Sequence, residues 1–126
     1  MFKKMLISVV AIGITMSSVC PVLAAEEMPH ELKCNLSGVI TSICYIRGWA
    51  GKPVEYIDEY INGNMDILRD NGIAVSKEDK KIYRDMCVTF FNQGREDDFK
   101  GVSYRQAKAN ESIIEQQIPV MCMKSN

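Results

Sequence analysis

The sequence predicts an all-α domain, a small disulfide-stapled helical bundle of about four helices, on three observations. Apolar side chains recur at three- and four-residue steps, serines stand where helices would open, and an even number of cysteines follows what reads as an export leader.

The leader comes first. MFKKMLISVVAIGITMSSVCPVLAAEE carries Lys3 and Lys4, an apolar run from Met5 to about Met16, and a tail of polar and small residues. Those are the three parts of a secretory signal peptide, and the run is shorter than the roughly 20 residues of a spanning helix. Val22 and Ala24 suit the cleavage positions, so residues 1–24 are expected to leave as a signal peptide and residues 25–126 to form a single helical domain. Cys20 would leave with the leader, because Ser17-Ser18-Val19 lacks the small residue that precedes a lipidated cysteine. The expected location is periplasmic or secreted, with no stable membrane insertion after cleavage.

Losing Lys3 and Lys4 leaves 13 basic against 16 acidic residues, a net charge near −3. Mixed, slightly acidic charge argues against nucleic acid as a partner, which calls for a concentrated basic patch.

The first helix is expected from Leu32 to about Trp49. Leu36, Val39, Ile40, Ile43, Tyr45 and Ile46 suit one buried stripe, and Gly48 and Gly51 loosen the end. Pro53 suits a first helical position, and Val54, Ile57, Tyr60 and Ile61 mark a short second helix that Asn62-Gly63-Asn64 interrupts. Another short turn with Met65, Ile67 and Leu68 would end at Asn71-Gly72, with Ile73–Val75 extended. The clearest start is Ser76-Lys77-Glu78-Asp79, at capping-box spacing with Asp in place of Glu or Gln. Ile82, Tyr83, Met86, Cys87, Phe90 and Phe91 then share a face up to Asn92-Gln93-Gly94, and Arg95–Gly101 reads as an acidic loop or helical turn. Ser103 and Gln106 open a last helix that Pro119 should kink or end.

Cys34, Cys44, Cys87 and Cys122 are expected to form two disulfides, and three pairings are open to them. Cys34 with Cys44 is disfavoured, since ten residues of helix separate them by about 15 Å, against the 5.5–6 Å usual between bridged Cα atoms. If the three longer helices run up, down and up, Cys34 meets Cys87 and Cys44 meets Cys122. That pairing is preferred over the two others.

Catalytic chemistry has little to build on. His30 is the only histidine and reads as a solvent-exposed bystander at the domain entry, with no nucleophile signature nearby. The cysteines lack paired-ligand spacing, so no structural metal is expected. Asp58/Glu59 and Glu96/Asp97/Asp98 read as solvated carboxylates, not a pair set across a substrate. The chain is therefore expected to be no enzyme and to carry no cofactor. Asn35-Leu36-Ser37 and Asn110-Glu111-Ser112 match glycosylation acceptors, incidental in a bacterial host.

Cys44-Tyr45-Ile46-Arg47-Gly48 resembles the early cysteine–aromatic–aliphatic–x–glycine helix of one branch of the periplasmic immunity proteins that neutralise type VI-secreted peptidoglycan amidases. The likeness continues through Val88, Phe90, Phe91, the capped segment from Ser103 and the closing Pro119-Val120-Met121-Cys122. It departs at Gly51-Lys52-Pro53, where that branch has Cys-x-Pro, and in lacking a proline directly before the last cysteine. The resemblance implies a cognate secreted amidase toxin as partner, homodimerisation, and inhibition by occupying the toxin's active cleft.

The residues themselves also suit a partner-binding role. Arg47 and Trp49 belong to the types enriched at binding hot spots, and Glu96, Asp97 and Asp98 would meet a basic patch. The plainer account is that Trp49 covers the helix end while Arg47 reaches solvent and the carboxylates confer solubility. Two other functions stand as alternatives, a small periplasmic stress chaperone or envelope assembly factor, and a small secreted hydrolase.

Overall fold

Residues 26–125 are described by the structure, a computed structural model. The leader expected over residues 1–24 lies outside them. A two-residue strand β1 (Glu26–Glu27) leads into helices α1 (His30–Trp49) and α2 (Glu55–Asp70), then strand β2 (Ile73–Ala74), and helices α3 (Lys77–Phe99) and α4 (Tyr104–Lys124). β1 pairs with β2 in parallel, with Glu26 opposite Ile73 and Glu27 opposite Ala74. The domain is thus a small all-α bundle of four helices stapled by two disulfides.

α1 is the centre of the bundle and carries more than one buried stripe. From Leu36 to Ile46 every side chain is buried, Ser37, Thr41 and Ser42 among them. Those three hydroxyls return to helix carbonyls three or four residues back, which lets polar residues sit in an apolar interior. α3 runs parallel to α1, as the Lys33–Asp79, Cys44–Cys87 and Tyr45–Asp97 contacts advance together along both. α4 runs antiparallel, with Trp49 beside Tyr104, Tyr45 beside Asn110, and Cys34 beside Cys122.

The parallel course of α3 corrects the expected disulfides. The bonds are Cys34–Cys122 and Cys44–Cys87, not Cys34–Cys87 and Cys44–Cys122. The reason is α2, an unbroken helix of 16 residues that supplies the downward leg and returns the chain to the starting end before α3 begins. Asn62-Gly63-Asn64 does not interrupt it, because the buried Asn64 amide donates 2.8 Å to the Tyr60 carbonyl within the same helix. The turn expected at Asn71-Gly72 does occur, with Gly72 at φ +80°.

α1 and α3 touch backbone to backbone. A Cβ at Gly48 would overlap the Phe91 carbonyl oxygen, and one at Gly94 would overlap the Tyr45 carbonyl oxygen. Gly94 is therefore the contact residue of a continuous helix, not its end, and the segment Arg95–Phe99 expected as an acidic loop or turn completes α3. The Cys44–Cys87 bond lies one turn before this crossing.

Pro119 likewise stays inside α4, which continues to Lys124. Its ring packs on Gly38, where a Cβ would stand 2.6 Å from the proline Cγ and 2.9 Å from the Glu115 oxygen. The proline removes an N–H donor, and the glycine removes the side chain that would collide with its ring. Both expected serine caps form, Ser76 accepting from the Asp79 amide at 3.0 Å and Ser103 from the Gln106 amide at 3.2 Å. No helix among the described residues is long and apolar enough to cross a membrane.

Candidate functional site

Parallel α1 and α3 bring their C-terminal ends to the same pole of the bundle, and the short α3–α4 turn adds the start of α4 there. Arg47, Trp49, Glu96, Asp97 and Asp98, named from sequence as candidate partner-binding residues, therefore share one end of the molecule. They do not share one role.

Asp97 points inward. Its Oδ2 accepts from the Tyr45 hydroxyl at 2.5 Å and its Oδ1 from the Gln93 amide at 3.0 Å. The Tyr45 oxygen in turn accepts from the Asn110 amide at 2.9 Å, and the Asn110 carbonyl oxygen accepts from Gln106 at 2.9 Å. This chain of bonds ties α1, α3 and α4 together. Burial, with the Asp97 carboxylate as second cause, pushes the Tyr45 phenol up to about 12.

Trp49 closes the end of α1. Its indole N–H donates 2.9 Å to the Val102 carbonyl, and its ring lies 5.7 Å from that of Tyr104, tilted by 51°. Beneath it Tyr45, Ile46 and Ala107 form a small apolar cluster with Phe90, Val102 and Ile114. Arg47 is half-buried and lies near the phenol of Tyr56 on α2; burial raises that phenol and the positive charge of the arginine works against the rise. Tyr56 stacks on Tyr60 with centroids 5.6 Å apart.

Glu96 is exposed and pairs with Lys100 at 2.7 Å, while Asp98 is exposed. The residue that stands out beside them is Phe99, 92% exposed at the last position of α3. Just beyond it Gly101, at φ +88°, turns the chain into α4, and Tyr104 is also exposed. Arg95 braces this pole from the side, its guanidinium 5.1 Å above the Phe91 ring and 3.2 Å from the Lys52 carbonyl in the α1–α2 connection.

Sequence reasoning passed over Phe99 because it followed the charges of its segment. A lone phenylalanine in Arg-Glu-Asp-Asp-Phe-Lys-Gly has no apolar neighbour at helical spacing to pack with, and that was the available signal. Tyr45 left no such signal, since its ring belongs to the core and only its hydroxyl reaches the network.

The other carboxylates singled out from sequence, Asp58 and Glu59, are surface groups. Asp58 forms an ion pair with Arg84 at 2.7 Å, which bridges α2 to α3 and holds its carboxyl below the usual range, and Glu59 is exposed. His30 is not the exposed bystander expected of it. It is half-buried at the start of α1, with Nε2 3.5 Å from the Cys34 sulfur.

Fold and site together define a disulfide-stapled four-helix bundle with an aromatic pole. Comparison with protein-family models, with curated proteins and with solved structures finds no match.

Proposed function

We propose that the protein works by binding another protein at the Phe99 pole, as a periplasmic inhibitor of a peptidoglycan-hydrolysing toxin, and not by catalysis. The observation that carries the binding role is Phe99 itself, a bare aromatic side chain on a braced helix end. Burying such a side chain in a partner's pocket contributes about 2–3 kcal/mol. The hydrogen bonds of Tyr45 and the Cys44–Cys87 bond hold its helix in place, so little ordering free energy is lost on association. Asp98, exposed and next to Phe99 in the chain, favours a partner whose cleft rim is basic, while the charge of Glu96 is matched by Lys100. The choice of a toxin as partner rests on the resemblance at Cys44–Gly48.

The test is capture from periplasmic extract with the mature domain as bait, followed by peptidoglycan hydrolysis assays on what is captured. A hydrolase held one-to-one, inhibited by the wild-type protein and at least tenfold less by Phe99→Ala, is the expected result. Inhibition equal in both proteins would remove Phe99 from the role. Capture of no hydrolase would remove the toxin.

A further inference from the structure

The two disulfides lie in different surroundings. Cys44 and Cys87 are both fully buried beside the α1–α3 crossing. Cys34 is buried too, but Cys122 is half-exposed, two residues from the end of α4. His30 stands one turn before Cys34 on the same face of α1, and the ligating atoms of His30, Cys34 and Cys122 all lie within 4.8 Å of one another. The cluster meets solvent through His30 and Cys122, both only half-buried.

We propose that the Cys34–Cys122 disulfide masks a thiophilic metal site: once an external dithiol has reduced it, His30, Cys34 and Cys122 bind one d10 cation, Zn2+ or Cu+. In the reduction the Sγ–Sγ bond breaks, the dithiol is oxidised to its own disulfide, and its two protons pass to Cys34 and Cys122. Metal binding then releases both protons from the thiols, because the thiolate is the ligand.

The geometry suits the cation. Bonds of about 2.0 Å to nitrogen and 2.3 Å to sulfur at a tetrahedral centre set the two donor atoms roughly 3.5 Å apart. His30 Nε2 and Cys34 Sγ are 3.5 Å apart already. Only the Cys122 sulfur has to retreat from Cys34 once the bond between them is gone, and it sits in the last turns of α4. One imidazole and two thiolates are the donor set that borderline and soft cations prefer over hard ones. Three protein ligands leave a position open for water or a further donor, as in sites that exchange their metal. The cluster is about 22 Å of helix away from Trp49, so this proposal stands or falls apart from the binding role of the opposite pole.

The experiment uses the whole mature protein, reduced without oxygen on an immobilised phosphine until Cys34 and Cys122, but not Cys44 and Cys87, accept an alkylating reagent. Co2+ is then titrated in as a coloured substitute for Zn2+, with a parallel arm of Cu+ in competition with a chromophoric chelator. One equivalent should bind to the reduced protein, with thiolate-to-cobalt and tetrahedral absorption bands, and none to the oxidised protein. His30→Ala should weaken binding about tenfold or more, and Cys122→Ser should abolish the site. His30→Gln, with circular dichroism on every variant, separates lost binding from lost fold. The proposal is overturned if reduced protein shows no cobalt bands and takes no Cu+, if His30→Ala and His30→Gln bind as wild type does, or if oxidised protein binds equally.

Discussion

The Tyr45 hydroxyl lies 2.5 Å from the Asp97 carboxylate, so the middle helix of the bundle is tied to the last turn of α3 through one buried phenol. Tyr45→Phe keeps the ring and removes both the bond to Asp97 and the acceptor for Asn110. A loss of about 1–3 kcal/mol is expected, since Asn110 and Asp97 are left short of a partner. Thermal unfolding should register this as a drop of several degrees, and an unchanged melting temperature would show the network to be dispensable.

Alkali should weaken the fold through the same residue. The folded Tyr45 phenol titrates at about 12 against an ordinary value of 10.0. The folded protein therefore holds that proton where the unfolded chain has lost it, and stability falls as pH rises from about 10 toward 12. Burial pushes Tyr60 and Tyr83 in the same direction. Urea midpoints should change little between about pH 7 and pH 10 and fall above it, less steeply in Tyr45→Phe than in wild type.

Opposite outcomes are expected from one substitution at two kinds of glycine. At Gly48 or Gly94 an alanine methyl collides with backbone of the facing helix, which cannot rotate away, so α1 and α3 must part at a cost of about 2–3 kcal/mol. At Gly63 nothing lies within 4 Å, and alanine should stabilise α2 by about 0.5–1 kcal/mol. Chemical denaturation of the three variants checks both signs.

The two aromatic residues at the pole should also separate. Trp49→Ala loses packing and the bond to Val102, and should cost about 3 kcal/mol. Phe99→Ala removes a side chain that touches little and should leave stability within about 0.5 kcal/mol. Equal destabilisation in both would mean that Phe99 packs in the fold.

Much of the helix layout was legible because short-range signals dictate it. Ser76 and Ser103 cap where their spacing says they should, and Tyr83, Cys87 and Phe91 bury the face that periodicity assigns to α3. Ile82, placed on the same stripe, is exposed, since α3 presents a narrower line to α1 than its apolar residues suggest. What stayed hidden is what only a partner helix reveals. Gly94 and Pro119 read locally as stops, yet each sits inside a helix because another backbone occupies the space beside it. The disulfide pairing was misread for one reason, that α2 survives Asn62-Gly63-Asn64 and so reverses the direction of α3. At the site, the inward aim of Asp97 was invisible because the partner that draws it in, Tyr45, is 52 residues away on α1, whereas Gln93 is only its neighbour along α3.

The enclosure of α1 has a consequence for the order of events in folding. Among the described residues it is the first helix to be synthesised, and the helices that cover it there all come later in the chain. α3 can cover part of its apolar surface first, but full burial of α1 waits until α4 has left the ribosome or a translocation pore. The same enclosure should make the amide hydrogens of Ile40 to Cys44 the last to exchange with solvent, at a rate set by opening of the entire domain.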